Sequence, residues 1–147
     1  MCLYVKGRYG NVRAKVAKKD ITVYKIVSAR DKHGDSLEGK DRFEKVHHYR
    51  SEYQDFKYEL NETYENDNFP NRCTTGCSMG SEGIHSYSPK SHVLDNSYCY
   101  SDSTWASKVV VKCKIPKGTK YYVGEHNCYI SQALYIGKPI KKAPKIK

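Results

Sequence analysis

Two runs of hydrophobic residues predict the main strands of this chain. Residues 21–27 (ITVYKIV) are rich in β-branched and aromatic residues, and residues 109–115 alternate apolar side chains with Lys112 and Lys114. A period of two places successive side chains on opposite faces of a sheet, so one face is buried and the other is solvated. The odd-numbered residues of the second run are therefore predicted to lie in the core.

The segment between these runs predicts one helix. From Phe43 to Phe56, large apolar residues recur at spacings of three and four, which favours an amphipathic helix over residues 41–53, followed by a short strand over residues 55–60. Further strands are predicted at residues 83–87, 121–123 and 129–136, with residues 137–139 ending the sheet. The predicted fold class is α+β, with a mainly antiparallel β-sheet and one short amphipathic helix.

The net charge of +10 is concentrated at the two ends of the 147 residues. Residues 1–20 carry six Lys or Arg and one acid, residues 137–147 carry five Lys and no acid, and the stretch between them carries 15 basic and 15 acidic side chains. This distribution predicts a basic N-terminal arm over residues 1–19, a single globular domain over 20–136 and a basic C-terminal tail over 137–147.

Cationic ends of this kind suit an anionic partner, such as nucleic acid, an acidic host protein or a virion subunit. The side chains expected to bind it are Arg13, Lys15, Lys18, Lys19, Lys138, Lys141, Lys142 and Lys145. Two alternatives remain open. The lysines serve only solubility, or the ends contact the acidic stretch between Glu52 and Asp67, in the same chain or in a neighbouring copy.

The cysteines and the apolar runs bear on compartment and cofactors. No apolar run approaches the roughly 18 residues of a membrane-spanning helix, and the N-terminus lacks the apolar stretch of a secretory signal. Reduced thiols inside a cell are therefore expected for the six cysteines. Cys73 and Cys77 flank a short turn and are the candidate zinc ligands, but the second pair of a zinc knuckle is missing, so no metal or other cofactor is predicted.

Several motifs together carry a family resemblance. They are Met1-Cys2-Leu3, residues 20–25 (DITVYK), 83–87 (GIHSY), 111–124 (VKCKIPKGTKYYVG) and 129–131 (YIS). The chain resembles a family of small uncharacterised proteins encoded by bacteriophages and prophages. The resemblance implies a β-rich fold and a phage origin. The expected location is the host cytoplasm or the virion. The expected role is that of a non-enzymatic accessory protein, and the alternative is a structural subunit of a viral particle.

A weaker resemblance, to the ADP-ribosyltransferase fold, rests on residues 115–118 (IPKG) and on the strand predicted at 83–87. It implies a cleft for NAD lined by Tyr24, His85, Ser86 and Tyr122, and it makes an NAD-using enzyme the alternative function. The transferase chemistry needs a late glutamate, which residues 129–133 (YISQA) lack. Because neighbouring residues of a strand point to opposite faces, His85 and Ser86 cannot form a dyad by themselves. No catalytic residue is therefore predicted.

Overall fold

Antiparallel strands dominate the computed structural model, which describes residues 11–51, 56–67, 69–70, 72–74, 83–89, 108–124 and 128–140. The strands are β1 Asn11–Arg13, β2 Lys15–Val16, β3 Ile21–Arg30, β4 His48–Ser51, β5 Lys57–Glu59, β6 Glu62–Glu65, β7 Arg72–Thr74, β8 Ile84–Tyr87, β9 Lys108–Ile115, β10 Lys120–Gly124, β11 Cys128–Ser131 and β12 Ala133–Ile140. Within these ranges there is one helix, α1, at Asp41–Glu44. The predicted α+β fold class, with a mainly antiparallel sheet and one short helix, is confirmed.

Six strands form a barrel-like half of the main sheet. On one side β3 pairs with β9, β9 with β12 and β12 with β6, and on the other side β3 pairs with β4 and β4 with β5. β5 and β6 follow each other in the chain through Asn61, which adopts a left-handed backbone with φ 62°. The amide of Glu59 donates a hydrogen bond of 2.6 Å to the Tyr64 hydroxyl. This contact joins β5 to β6, which are the two terminal strands of this half, so the six strands surround the core.

The interior of this half is apolar apart from a few buried hydroxyl and thiol groups. Among its buried residues are Val23, Val27, Tyr49, Tyr58, Val109, Val111, Cys113, Leu134 and Ile136, so the predicted core face of β9 is confirmed. The Tyr49 hydroxyl donates to the Gly137 carbonyl oxygen at 3.2 Å. Burial raises the pKa of the Tyr58 hydroxyl and of the Cys113 thiol to about 12, and it also raises the pKa of Tyr49.

A wing of four strands extends the sheet from the first half of β3, in the order β8, β11, β10 and β2. One edge of β3 is therefore shared, because Tyr24 pairs with Tyr87 of β8 while β4 pairs with the last residues of β3. The single strand predicted over 129–136 is in fact two strands, β11 and β12. They separate at Gln132, where the chain passes from the wing to the barrel-like half.

The predicted helix over residues 41–53 is wrong from Lys45 to Ser51, and residues 52–53 lie outside the described residues. After α1 the chain forms β4, which lies antiparallel to β3. Tyr49 explains the error, because its side chain is fully buried in the core as the cross-strand neighbour of Ala29. The spacing of three and four that favoured a longer helix thus arises from one helical turn followed by a strand. The short strand predicted after it is β5.

The predicted end of the sheet at residues 137–139 is also wrong, since β12 continues to Ile140. A β-bulge between Ile136 and Pro139 lets the strand continue beside β9. Gly137 is needed there because a Cβ atom would collide with the Lys112 carbonyl oxygen. At the other end, β1 pairs with β7 and β2 pairs with β10, so part of the predicted arm also lies in sheet structure.

The two cysteines whose side chains are described differ in state. Cys113 is a free, buried thiol, whereas Cys128, also fully buried, is disulfide-bonded. The expectation of reduced thiols is therefore wrong for Cys128. It was inferred from the expected compartment, and sequence spacing does not show which sulfur atoms the fold brings together. No helix in the described part of the chain is long and apolar enough to cross a membrane.

Candidate anion-binding surface

The N-terminal arm contacts the turn between β9 and β10, and lysines lie on both segments. The Ala17 amide donates to the Thr119 carbonyl oxygen at 2.9 Å, and the Gly118 amide donates to the Ala17 carbonyl oxygen at 2.8 Å. Gly118 supplies the left-handed conformation of the turn, with φ 87°. These bonds bring together the two backbone segments that carry Lys18, Lys19 and Lys117. All three side chains are exposed, and we call them the hairpin cluster.

The carboxylate of Asp20 lies beside this cluster. Its Oδ1 atom accepts a hydrogen bond of 2.9 Å from the backbone amide of Lys117. The carboxylate therefore fixes the turn through the backbone, and it is not ion-paired with a lysine side chain in the described part of the chain.

Two more lysines continue from the hairpin cluster along β9. Lys112 and Lys114 are exposed, and they alternate with core residues, so both lie on the face of β9 that points away from the core. We call this side of β3, β9 and β12 the outer face. At about 3.3 Å per residue, the path from Lys117 through Lys114 to Lys112 spans roughly 17 Å.

Tyrosines lie beside the lysines of the outer face. Tyr24 of β3 is the cross-strand partner of Lys112, and Tyr135 of β12 is the partner of Lys114. The Lys114 Nζ atom lies 5.9 Å from the centroid of the Tyr135 ring. Both rings are partly exposed. The surface therefore offers positive charge and aromatic faces side by side.

None of these lysines is neutralised within the described residues. The ion pairs found there join Lys45 to Asp41, at α1, and Lys57 to Glu59, in β5.

The residues predicted to bind anions are partly placed by the structure. Arg13, Lys15, Lys18, Lys19 and Lys138 are exposed, and Lys138 follows Gly137, whose backbone lies against Lys112. Lys141, Lys142 and Lys145 lie outside the described residues.

The two predicted basic ends do not lie on adjacent strands. β2 and β12 are separated by five strands in the sheet order. Lys112, Lys114 and Lys117 lie between them and were not among the predicted binding residues. Their alternation in the sequence predicted only a solvated face, and the register with Tyr24 and Tyr135 could not be read from it.

The four residues of the expected NAD cleft do not share one face. His85 is opposite Ile130 and Ile130 is opposite Tyr122, so His85 and Tyr122 lie on the same side of the wing, two strands apart. Tyr24 joins that side through its pairing with Tyr87.

Ser86 is on the opposite side, facing the core with 1% of its surface exposed. Its hydroxyl has no hydrogen-bond partner among the described residues. The Tyr122 side chain is buried as well, and its hydroxyl donates to the Pro70 carbonyl oxygen at 2.8 Å. The geometry thus brings Tyr24, His85 and Tyr122 to one side of the sheet and leaves Ser86 out.

Metal ligands are not clustered in the described ranges, where no three His, Cys, Asp or Glu side chains are placed to share an ion. Of the two candidate zinc ligands, Cys73 has only its backbone described, in β7, and Cys77 lies outside the described residues.

Comparison with known proteins does not assign the chain to a family. No family model, no curated protein and no solved structure matches the chain. The resemblance to phage proteins therefore stays a prediction.

Proposed function

We propose that this protein is a non-enzymatic, phage-encoded accessory protein that binds an anionic macromolecule through lysines, in the host cytoplasm or in the virion. The observation that carries the proposal is a run of exposed lysines, from Lys18 and Lys19 through Lys117 to Lys114 and Lys112, that no carboxylate neutralises within the described residues. The strongly basic sequence, with a pI near 9.3, supports it.

The physical basis is electrostatic. Clustered charges of one sign raise the local concentration of an oppositely charged partner and speed its association. When lysines replace the counterions of a polyanion, those ions are released, so affinity falls as salt rises. The hairpin cluster suits such contact because hydrogen bonds to Ala17 and Asp20 fix its backbone, while the lysine side chains stay exposed.

Neutralising the hairpin cluster should weaken binding and its dependence on salt. For the triple variant Lys18→Gln, Lys19→Gln, Lys117→Gln we expect the slope of log affinity against log salt, measured on duplex DNA, to fall by about 2.7, which is about 0.9 for each phosphate that the variant no longer neutralises. The measurement is a titration by fluorescence anisotropy at several salt concentrations.

The matched control removes the same charge elsewhere, in the exposed residues Lys32, Lys40 and Lys45. Equal losses in the two triple variants would show that net charge alone matters, and they would contradict a localised site. An affinity that does not change between low and high salt would contradict the proposal as a whole.

Removing the carboxylate beside the cluster should have the opposite effect. Asn at position 20 keeps an oxygen that accepts the Lys117 amide but has no charge. We therefore expect Asp20→Asn to raise the affinity for duplex DNA about threefold at low salt. Glu38→Gln, an exposed site with the same change in charge, is the control and should have little effect. Equal affinities of Asp20→Asn and the unaltered protein would contradict the position of the site.

One observation favours the virion within this proposal. A disulfide such as that of Cys128 persists in oxidising surroundings, including virion surfaces, and is rare in reducing cytoplasm. This also keeps a structural subunit of a viral particle as an alternative. Measurement of the solution mass of the purified chain separates them, since a subunit of a particle is expected to assemble and an accessory binding protein is expected to stay small.

The NAD-using enzyme remains an alternative that rests on the resemblance. Incubation of the full chain with labelled NAD and host lysate tests it, and transfer of label would replace the binding proposal with an enzymatic one.

A further inference from the structure

We infer that the outer face of β3, β9 and β12 binds single-stranded nucleic acid, with Lys112 and Lys114 contacting phosphates and Tyr24 and Tyr135 stacking on bases. The inference rests on the proposed function and narrows its partner to one class of polyanion.

The first support is the register of the strands. Tyr24 is paired with Lys112, and Tyr135 is paired with Lys114 on the opposite side of β9. Directly paired residues have Cβ atoms about 5 Å apart on the same face. Each lysine therefore has an aromatic ring beside it, as required where a phosphate and its base are bound together.

The second support is that the rings are held in place. The Tyr135 hydroxyl donates to the Asn61 Oδ1 atom at 3.0 Å. Tyr24 packs with Tyr87 against the buried pair Ile26 and Val110. Rings fixed in this way lose little further conformational freedom on binding, which favours their use as stacking surfaces.

The third support is the distance between the two rings. They lie two strand spacings apart and are offset by two residues along β9, which sheet geometry converts to about 12 Å. A flexible single strand crossing β9 diagonally can therefore contact both rings and both lysines. Sheet faces that stack successive bases on aromatic side chains are a common means of recognising single strands.

The tyrosine rings favour single-stranded nucleic acid over a duplex and over an acidic protein. In a duplex the base faces are already stacked on each other, so Tyr24 and Tyr135 would contribute little. An acidic protein could pair its carboxylates with the lysines, but that contact makes no use of the rings. The lysines alone do not discriminate among polyanions, so the tyrosines decide the prediction.

The test measures binding of the full chain to labelled oligothymidylate, to a DNA duplex of the same length and to polyglutamate. We expect Tyr24→Leu and Tyr135→Leu each to weaken oligothymidylate binding about tenfold. The same variants should bind the duplex and polyglutamate as the unaltered protein does. Tyr24→Phe and Tyr135→Phe keep the ring and should bind within about twofold of it.

The lysines should show a different signature. For Lys112→Gln with Lys114→Gln we expect the salt slope for oligothymidylate to fall by about 1.4, or about 0.7 for each phosphate of a single strand that is no longer neutralised. The double variant Lys32→Gln, Lys40→Gln is the matched control and should leave the slope unchanged.

Folding of each variant is checked by its thermal unfolding curve. If a Leu variant does not fold, ultraviolet cross-linking of oligothymidylate to the unaltered protein replaces it, with Tyr24 and Tyr135 expected as cross-linked residues in the mass spectrum. Cross-links confined to other residues would overturn the inference.

The outcomes separate this inference from the proposed function. If polyanions bind through the hairpin cluster but the tyrosine variants bind oligothymidylate normally, the inference fails and the proposed function stands. Preference for polyglutamate would also overturn it, in favour of an acidic protein partner. If none of the three polyanions binds, both fail.

Discussion

Raising the pH from about 8 to about 11 is expected to lower the free energy of unfolding by roughly 5 kcal/mol. Three buried acids cause this loss. Burial raises the pKa of the Cys113 thiol from 9.0 to about 12 and that of Tyr58 from 10.0 to about 12. It raises the pKa of Tyr49 as well. This loss is a large fraction of the roughly 5–15 kcal/mol by which a domain of this size is stable.

The sign follows from which state binds protons more tightly. A raised pKa means that the folded state holds each proton where the unfolded chain releases it. The stabilisation is complete below the ordinary values of 9.0 for the thiol and 10.0 for the phenols, and it is lost as pH rises toward about 12. Denaturant unfolding monitored by circular dichroism at several pH values measures the slope.

Cys113→Ala tests the largest of these contributions. This variant removes the thiol, so its stability should fall less steeply with pH between 9.0 and about 12 than that of the unaltered protein. Val111→Ala is the matched control, because Val111 is a fully buried neighbour on the same face of β9 that carries no ionisable group. Parallel pH profiles for both variants and the unaltered protein would contradict the assignment to the thiol.

Leu134→Ala is expected to lower the free energy of unfolding by about 2–5 kcal/mol. The Leu134 side chain is fully buried on the inner side of β12. It lies opposite Tyr64 of β6, whose hydroxyl accepts the hydrogen bond from Glu59 of β5. Truncation leaves a cavity there, because the surrounding strands are fixed by hydrogen bonds on both sides. Urea unfolding at neutral pH gives the difference.

The control for this prediction is Val16→Ala, because Val16 is 55% exposed and surface truncations usually change stability by less than about 0.5 kcal/mol. A loss for Leu134→Ala no larger than that of the control would contradict the barrel-like core. Leu134→Ala should also leave oligothymidylate binding intact where the protein is folded, whereas Tyr135→Leu, one residue further along β12 on the outer face, should weaken it.

The sequence predicted the parts of the fold that depend on side-chain alternation. The inner and outer sides of β9 were read correctly, because Lys112 and Lys114 interrupt the apolar run at every second position. The helix was predicted too long because Tyr49 has the spacing of a helical face but reaches the core from a strand. The separation of β11 from β12 at Gln132 depends on which strands lie on either side of it, and this information is not local.

The candidate site was predicted only in part, for a related reason. Composition located the charge at the two ends of the chain, and the structure places Lys18 and Lys19 on the exposed surface. Lys117 joins them through hydrogen bonds between segments about a hundred residues apart, such as that from Lys117 to Asp20. The pairing of Tyr24 with Lys112 likewise depends on the register of β3 against β9.

The shared edge of β3 also determines how the molecule opens. β3 supplies backbone hydrogen bonds to β9 along most of its length and to β8 and β4 on its other edge, so neither half of the sheet can dissociate without disturbing it. Amide protons of β3 should therefore exchange with solvent more slowly than those of the edge strands, and protection in the two halves should be lost in a single cooperative event.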